Sequence, residues 1–183
     1  MLGVCQKARM HSIKIIVPLL LTIGTADSGK WSSNHHEITV HFNEKIWSIV
    51  EEVDSENDTL IGLYDKDDGS TFLLRIEFQE DAINIPEEAI DKALIETLRN
   101  ADSGVEVYRR SAMTIAGNDF RVIDYLFDNR EFGTQRVRHA YQQQSNHIFM
   151  LMMSWPIEMN IQVGKNFPFK HLALIEGLSL TEQ

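Results

Sequence analysis

The chain has 183 residues, of which 43% are hydrophobic, and its formal net charge is −10 at neutral pH. This length suits one domain with a hydrophobic core of its own. The acidic balance disfavours binding to nucleic acid or to an anionic membrane surface, and it suits solubility or a basic partner. Cys5 is the only cysteine, so disulfides are not expected to stabilise the fold.

The N-terminal stretch 1–26 has the pattern of a secretory signal peptide. Lys14 precedes an apolar run at 15–23, small residues follow at 24–26, and no acidic residue occurs within the stretch. The run is about half as long as a bilayer-spanning helix requires. We therefore expect a periplasmic or secreted protein, cleaved near Ala26 and not stably inserted in a membrane afterwards. A buried N-terminal helix is the alternative.

A single domain is expected at 35–183, after a flexible linker of small and polar residues at 27–34. Alternation of polar and apolar residues predicts strands at 37–42 and 47–53, the second with Ile49 facing inward.

A hairpin and a helix are predicted next. Strands at 59–64 and 71–78 flank an Asp-Gly turn, which is typical of a β-hairpin. Pro86 is well placed to open a helix, and acidic residues follow it in the first turn. Apolar residues recur along this helix at four-residue spacing and form one stripe. The stripe consists of Ile90, Leu94 and Leu98.

The second half of the chain is predicted to be mostly strands. The stretch 147–155 is apolar on both faces, so we place it at the centre of a sheet. In the strand 134–142, one side carries Val137, His139 and Tyr141, and the other carries Arg136 and Arg138. The remaining predicted elements are strands at 105–115 and 120–127, a helix opening near Pro168, and an edge strand at 178–180.

This order predicts an α+β domain in which helices pack against an antiparallel meander sheet. One core is expected to unite its elements. We place Trp47, Leu94, Phe149, Leu151 and Leu172 in that core.

A histidine cluster near the start of the domain is a candidate metal site. His35, Glu37 and His41 would lie on one face of a strand. Because a strand rises about 3.3 Å per residue, the two histidines would lie roughly 20 Å apart and would not share one ion. No metal site is therefore expected there.

The acidic turn at Asp65, Asp67 and Asp68 invites a calcium interpretation. An EF-hand loop counted from Asp65 needs Gly at its sixth position and Glu at its twelfth, where this chain has Ser70 and Ile76. We interpret the aspartates as part of the hairpin turn.

No catalytic centre and no cofactor site are expected. The part of the chain after the signal stretch has no cysteine, and Ser154 lies inside an apolar strand. His139 is predicted to face inward, which favours a core residue over a general base. The acidic residues concentrate in the first half and the arginines in the second, which suggests solvated faces or a surface that orients a partner.

The order of these pieces resembles the PsbP-like superfamily, which includes the Ran-binding Mog proteins and the bacterial DcrB-like proteins; the DcrB-like proteins are the most similar in character. The usual Tyr-Pro or Leu-Pro before the first Trp is replaced by residues 43–46. The matching pieces are Val40-His41-Phe42 with Trp47, Ile85-Pro86-Glu87-Glu88, and the stretches 116–121, 134–141 and 167–180.

The resemblance implies a binding module, since family members dock on a GTPase, on a photosystem, or on effector transmembrane segments. It transfers no functional residue. We expect a non-catalytic, exported binding or accessory domain that docks a protein or apolar partner through its sheet or its helix–sheet cleft. The alternatives are a small periplasmic enzyme with dispersed catalytic residues and an effector chaperone like the Eag proteins of type VI secretion.

Overall fold

A computed structural model describes residues 28–101, 105–159 and 167–180 of the chain. The predicted signal peptide at 1–26 lies outside these ranges. The described residues form ten β-strands, two α-helices and a short 3₁₀ turn at Ala82–Asn84. The strands are β1 (Ser28–Ser32), β2 (Ile38–Asn43), β3 (Ser48–Asp54), β4 (Asp58–Tyr64), β5 (Thr71–Phe78), β6 (Glu106–Ile115), β7 (Asn118–Asn129), β8 (Gly133–Gln144), β9 (His147–Pro156) and β10 (Leu178–Leu180), and the helices are α1 (Glu87–Ala101) and α2 (Phe169–Glu176).

Two antiparallel sheets make up the fold. The large sheet has seven strands in the order β3-β4-β5-β9-β8-β7-β6, and the small sheet has three in the order β1-β2-β10. The all-apolar strand β9 occupies the fourth of the seven positions, so its predicted central place is confirmed. A continuous apolar run favours a strand that is buried on both faces.

Local turn chemistry produces the meander. The β6–β7 turn places Ala116 at φ 50° and Gly117 at φ 84°. Two successive left-handed residues match the twist of a tight hairpin, and glycine adopts this conformation without steric cost. The predicted β4–β5 hairpin is also present, with Gly69 at φ 73°.

The main core lies between the inner face of the large sheet and a cover formed by the small sheet and α2. Trp47, Phe149 and Leu151 all belong to it, as predicted. A second, smaller cluster lies on the outer face of the large sheet, beneath α1. Its buried members are Ile95, Val105, Ile123, Tyr125 and Val137.

The prediction of one core is therefore wrong in part. Leu94 packs, partly buried, against the second cluster, and Leu172 is only half-buried. The physical reason is that a seven-stranded sheet has two faces, and each face needs its own apolar cover.

The prediction of a flexible linker at 27–34 is wrong for the described residues. Ser28–Ser32 forms β1, which pairs with β2, and Trp31 is only 5% exposed. The Nε1 group of Trp31 donates a hydrogen bond of 2.8 Å to Glu52 on β3. Pairing and burial of one large side chain outweigh the loop-like composition of the segment.

Two side chains are placed differently from the prediction. Ile49 is 44% exposed rather than inward, because β3 is an edge strand with a bulge between Ile49 and Glu51. Arg138 is buried instead of solvated. Its guanidinium makes a two-pronged ion pair with Asp124, its cross-strand partner, at 2.7 and 2.8 Å.

Candidate functional site

A pocket opens at one end of the sandwich, where several turns of the two sheets meet. Its volume is about 440 Å³. The β1–β2 loop forms one wall through His35 and His36, and the start of β9 forms the opposite wall through His147. Phe78 at the end of β5 and Phe149 on β9 supply apolar surface. We call this cavity the histidine pocket.

Asp54 at the end of β3 fixes the loop that carries the first two histidines. Its carboxylate accepts hydrogen bonds from the Ser33 hydroxyl at 2.6 Å and from the Asn34 backbone and side-chain amides at 2.7 and 2.8 Å. Burial raises the pKa of Asp54, but the hydrogen bonds outweigh that effect and hold the pKa below its ordinary value. The Ser33 hydroxyl in turn accepts from the backbone amides of His35 and His36. These hydrogen bonds therefore hold the β1–β2 wall of the pocket in place in the absence of a ligand.

Three aromatic rings meet edge to face inside the pocket. The His36 and His147 centroids lie 5.4 Å apart, and those of Phe78 and His147 lie 5.6 Å apart. Burial, with a contribution from His147, lowers the pKa of His36, so this imidazole is neutral near neutral pH. Its Nε2 atom is buried and has no hydrogen-bond partner among the described residues.

The pocket carries negative charge. Glu37 and Glu56 are exposed and line it, whereas none of its described lining residues is Lys or Arg. In residues 28–101, 105–159 and 167–180, no group of three or more metal-ligating side chains is placed to hold an ion. The site therefore suits neutral or cationic organic groups better than anions.

The predicted histidine cluster is only partly brought together. His35 and Glu37 line the pocket, but His41 is an exposed residue of β2 and lies outside it. Sequence reasoning missed His147, which is more than a hundred residues from His36 and contacts it only because of the sheet topology.

The acidic turn between β4 and β5 forms ion pairs with a lysine. Lys170 of α2 places its Nζ 2.6 Å from a carboxylate oxygen of Asp65 and also pairs with Asp68. Burial raises the pKa of Asp68, but the hydrogen bonds from Lys170 and Ser70 outweigh it and keep the pKa below its ordinary value. The ammonium group thus occupies the place that the calcium interpretation would give to an ion.

The two candidate catalytic side chains pack within the large sheet, where Ser154 is buried and His139 is half-buried. His139 lies in register between Ile123 and Met152 on the face that α1 covers. Burial lowers its pKa to about 4. The Ser154 hydroxyl is 2.8 Å from the Thr71 hydroxyl on the neighbouring strand.

One edge of the large sheet is exposed and apolar. On β3, Ile49, Val50 and Val53 are 44%, 63% and 40% exposed. One side of this strand pairs with β4, and no described strand pairs with the other side. Glu51 and Glu52 lie between the aliphatic residues. We call this surface the β3 edge.

Comparisons with known proteins identify the fold. The solution structure of cyanobacterial PsbP (CyanoP) from Synechocystis sp. PCC 6803 is 14% identical, covers 87% of this chain and 96% of its own, and has a TM-score of 0.59. A crystal structure from Bacteroides thetaiotaomicron VPI-5482, also 14% identical, covers 86% of this chain but only 50% of its own, with a TM-score of 0.50. No protein-family model and no curated protein matches the sequence.

The fold is therefore α+β and PsbP-like, as the order of motifs predicts. No helix within the described ranges is long and apolar enough to cross a membrane.

Proposed function

We propose that this chain is an exported, non-catalytic binding or accessory domain that docks an extended, basic segment of a partner protein along the β3 edge. The observation that carries the proposal is the combination of a free strand edge with three exposed aliphatic side chains. Membership of the Mog or DcrB-like groups remains a prediction from the resemblance.

An edge strand offers a row of unpaired backbone amides and carbonyls. An added strand satisfies these groups and gains affinity from the main chain, while side-chain contacts select the sequence. At the β3 edge the available contacts are apolar at Val50 and Val53 and acidic at Glu51, whereas Glu52 already accepts the hydrogen bond from Trp31. A strand with apolar and basic residues complements both.

The same acidic residues disfavour a second copy of the chain as the partner. Pairing β3 with another β3 would bring like charges together, which destabilises cross-strand pairs. A basic partner avoids this repulsion, and the net charge of −10 would help to orient it.

The test compares proteins captured from the native source by three forms of the chain. Val50→Lys with Val53→Lys places two positive charges on the β3 edge, and Tyr108→Lys, on the exposed β6 strand at the opposite edge, is the matched control. We expect specific partners with the wild type and the control but not with the double variant. An identical set of proteins with all three forms would contradict the proposal.

A further inference from the structure

We infer that the histidine pocket is a binding site for a small cationic amine with an apolar body. This site is separate from the β3 edge and does not depend on the proposed docking there. Size, charge and aromatic surface point independently to this class of ligand.

The cavity has the dimensions of a small-molecule site. Its volume of about 440 Å³ falls in the range of pockets that enclose small organic ligands. The Asp54 hydrogen bonds hold the β1–β2 loop in place, so binding would not have to order that wall.

The sign of the charge disfavours an anionic ligand. Glu37 and Glu56 line the pocket, and no Lys or Arg is present among its described lining residues to balance them. A carboxylate or phosphate group entering the pocket would meet like charge, whereas an ammonium group would be attracted.

The apolar surface suits a ligand with a hydrocarbon or aromatic body. Phe78 is 45% exposed although its ring contacts His147. Covering this ring removes apolar surface from water, and a cation held near an aromatic face gains further attraction. Phe149 extends the same surface into the cavity.

Three matched probes test the inference by calorimetric titration of the full chain. The probes are 2-phenylethylamine, its N,N,N-trimethyl derivative and 3-phenylpropionate, which share an aromatic body and differ in charge and donor capacity. We expect saturable binding of both cations and no saturable binding of the anion. Absence of saturable amine binding, or equal affinity for the amine and the anion, would overturn the inference.

Variants then locate the site. Phe78→Ala and the charge reversal Glu56→Lys are each expected to weaken amine binding by about tenfold, whereas His41→Leu, on the exposed face of β2, is expected to leave it unchanged. Phe78 and Glu56 are both exposed, so their variants report on the pocket with little effect on folding. Unchanged binding in the Glu56 variant, or equal losses in the Phe78 and His41 variants, would contradict this location.

Discussion

The Asp124–Arg138 pair shows how strongly burial changes the role of a charged residue. Both side chains are almost fully buried, and the arginine also lies over the ring of Phe167, 4.9 Å from its centroid. Sequence alternation correctly separates Arg138 from Val137 and His139. The alternation does not reveal that the face of β8 carrying Arg138 is also buried, because that burial depends on the second sheet packed over it.

Asp124→Asn is expected to destabilise the protein by about 3 to 5 kcal/mol, because it removes the carboxylate that compensates a buried guanidinium. Asp58→Asn is the matched control. It removes the carboxylate of an ion pair with Arg75 that is more than a third exposed, and such pairs contribute about 0 to 1 kcal/mol. Urea unfolding measures both values. A loss for Asp124→Asn no larger than that for the control would contradict the assigned role of the pair.

Two histidines with lowered pKa values, the half-buried His139 and the fully buried His171, predict a pH-dependent stability. Burial lowers the pKa of His139 and of His171 from 6.5 to about 4 in the folded state. Between these values the unfolded chain binds more protons than the folded chain, so stability is complete above about pH 6.5 and falls as the pH drops towards 4.

His139→Leu removes one of these titrating groups. The decrease in unfolding free energy between about pH 7 and about pH 5 should therefore be smaller in this variant than in the wild type. Urea unfolding at the two pH values gives both differences, and a comparison within each protein cancels any change in overall stability. An equal decrease in both proteins would show that His139 does not titrate in this way.

At the scale of elements, α1 is amphipathic as predicted, but it packs against a hydrophobic cluster that is separate from the main core. Ile95 is among the buried residues of this cluster, whereas Leu94 is only partly buried. The stripe at four-residue spacing predicts the buried face of the helix to within one residue. Which sheet face it covers is set by the chain path after α1 and cannot be read from the helix itself.

Ile95→Ala is expected to cost about 2 to 5 kcal/mol, because it opens a cavity between α1 and the outer face of the large sheet. Leu94→Ala should cost less, and Thr97→Ala on the exposed side of the helix should have little effect. Denaturation midpoints provide the comparison. If Thr97→Ala proved as costly as Ile95→Ala, the orientation of the helix would be wrong.

Strand patterns and turn residues predict most of the elements, while the sites depend on contacts between distant segments. The central position of β9 follows from its apolar run, but β1 is missed because its small and polar residues are typical of a loop. The histidine pocket joins residues near 35, 78 and 147, and no local pattern links them. The exposure of β3 likewise depends on its place in the sheet.

At the scale of the whole molecule, export rests on the sequence pattern of 1–26. The expected product in the native cells is a chain that begins near Asp27, since small residues at 24–26 suit cleavage there. Intact-mass measurement of the native protein determines its first residue. A species in the cytosol that retains residues 1–26 would contradict export.

The proposed docking function is tested most directly by photo-crosslinking in the native cells. A photoreactive residue at position 50 lies on the β3 edge, and one at position 108 lies on the opposite edge of the same sheet. We expect position 50, but not position 108, to form a discrete adduct with a basic segment of another protein. The absence of an adduct specific to position 50, or an adduct with a second copy of this chain, would contradict the proposed function.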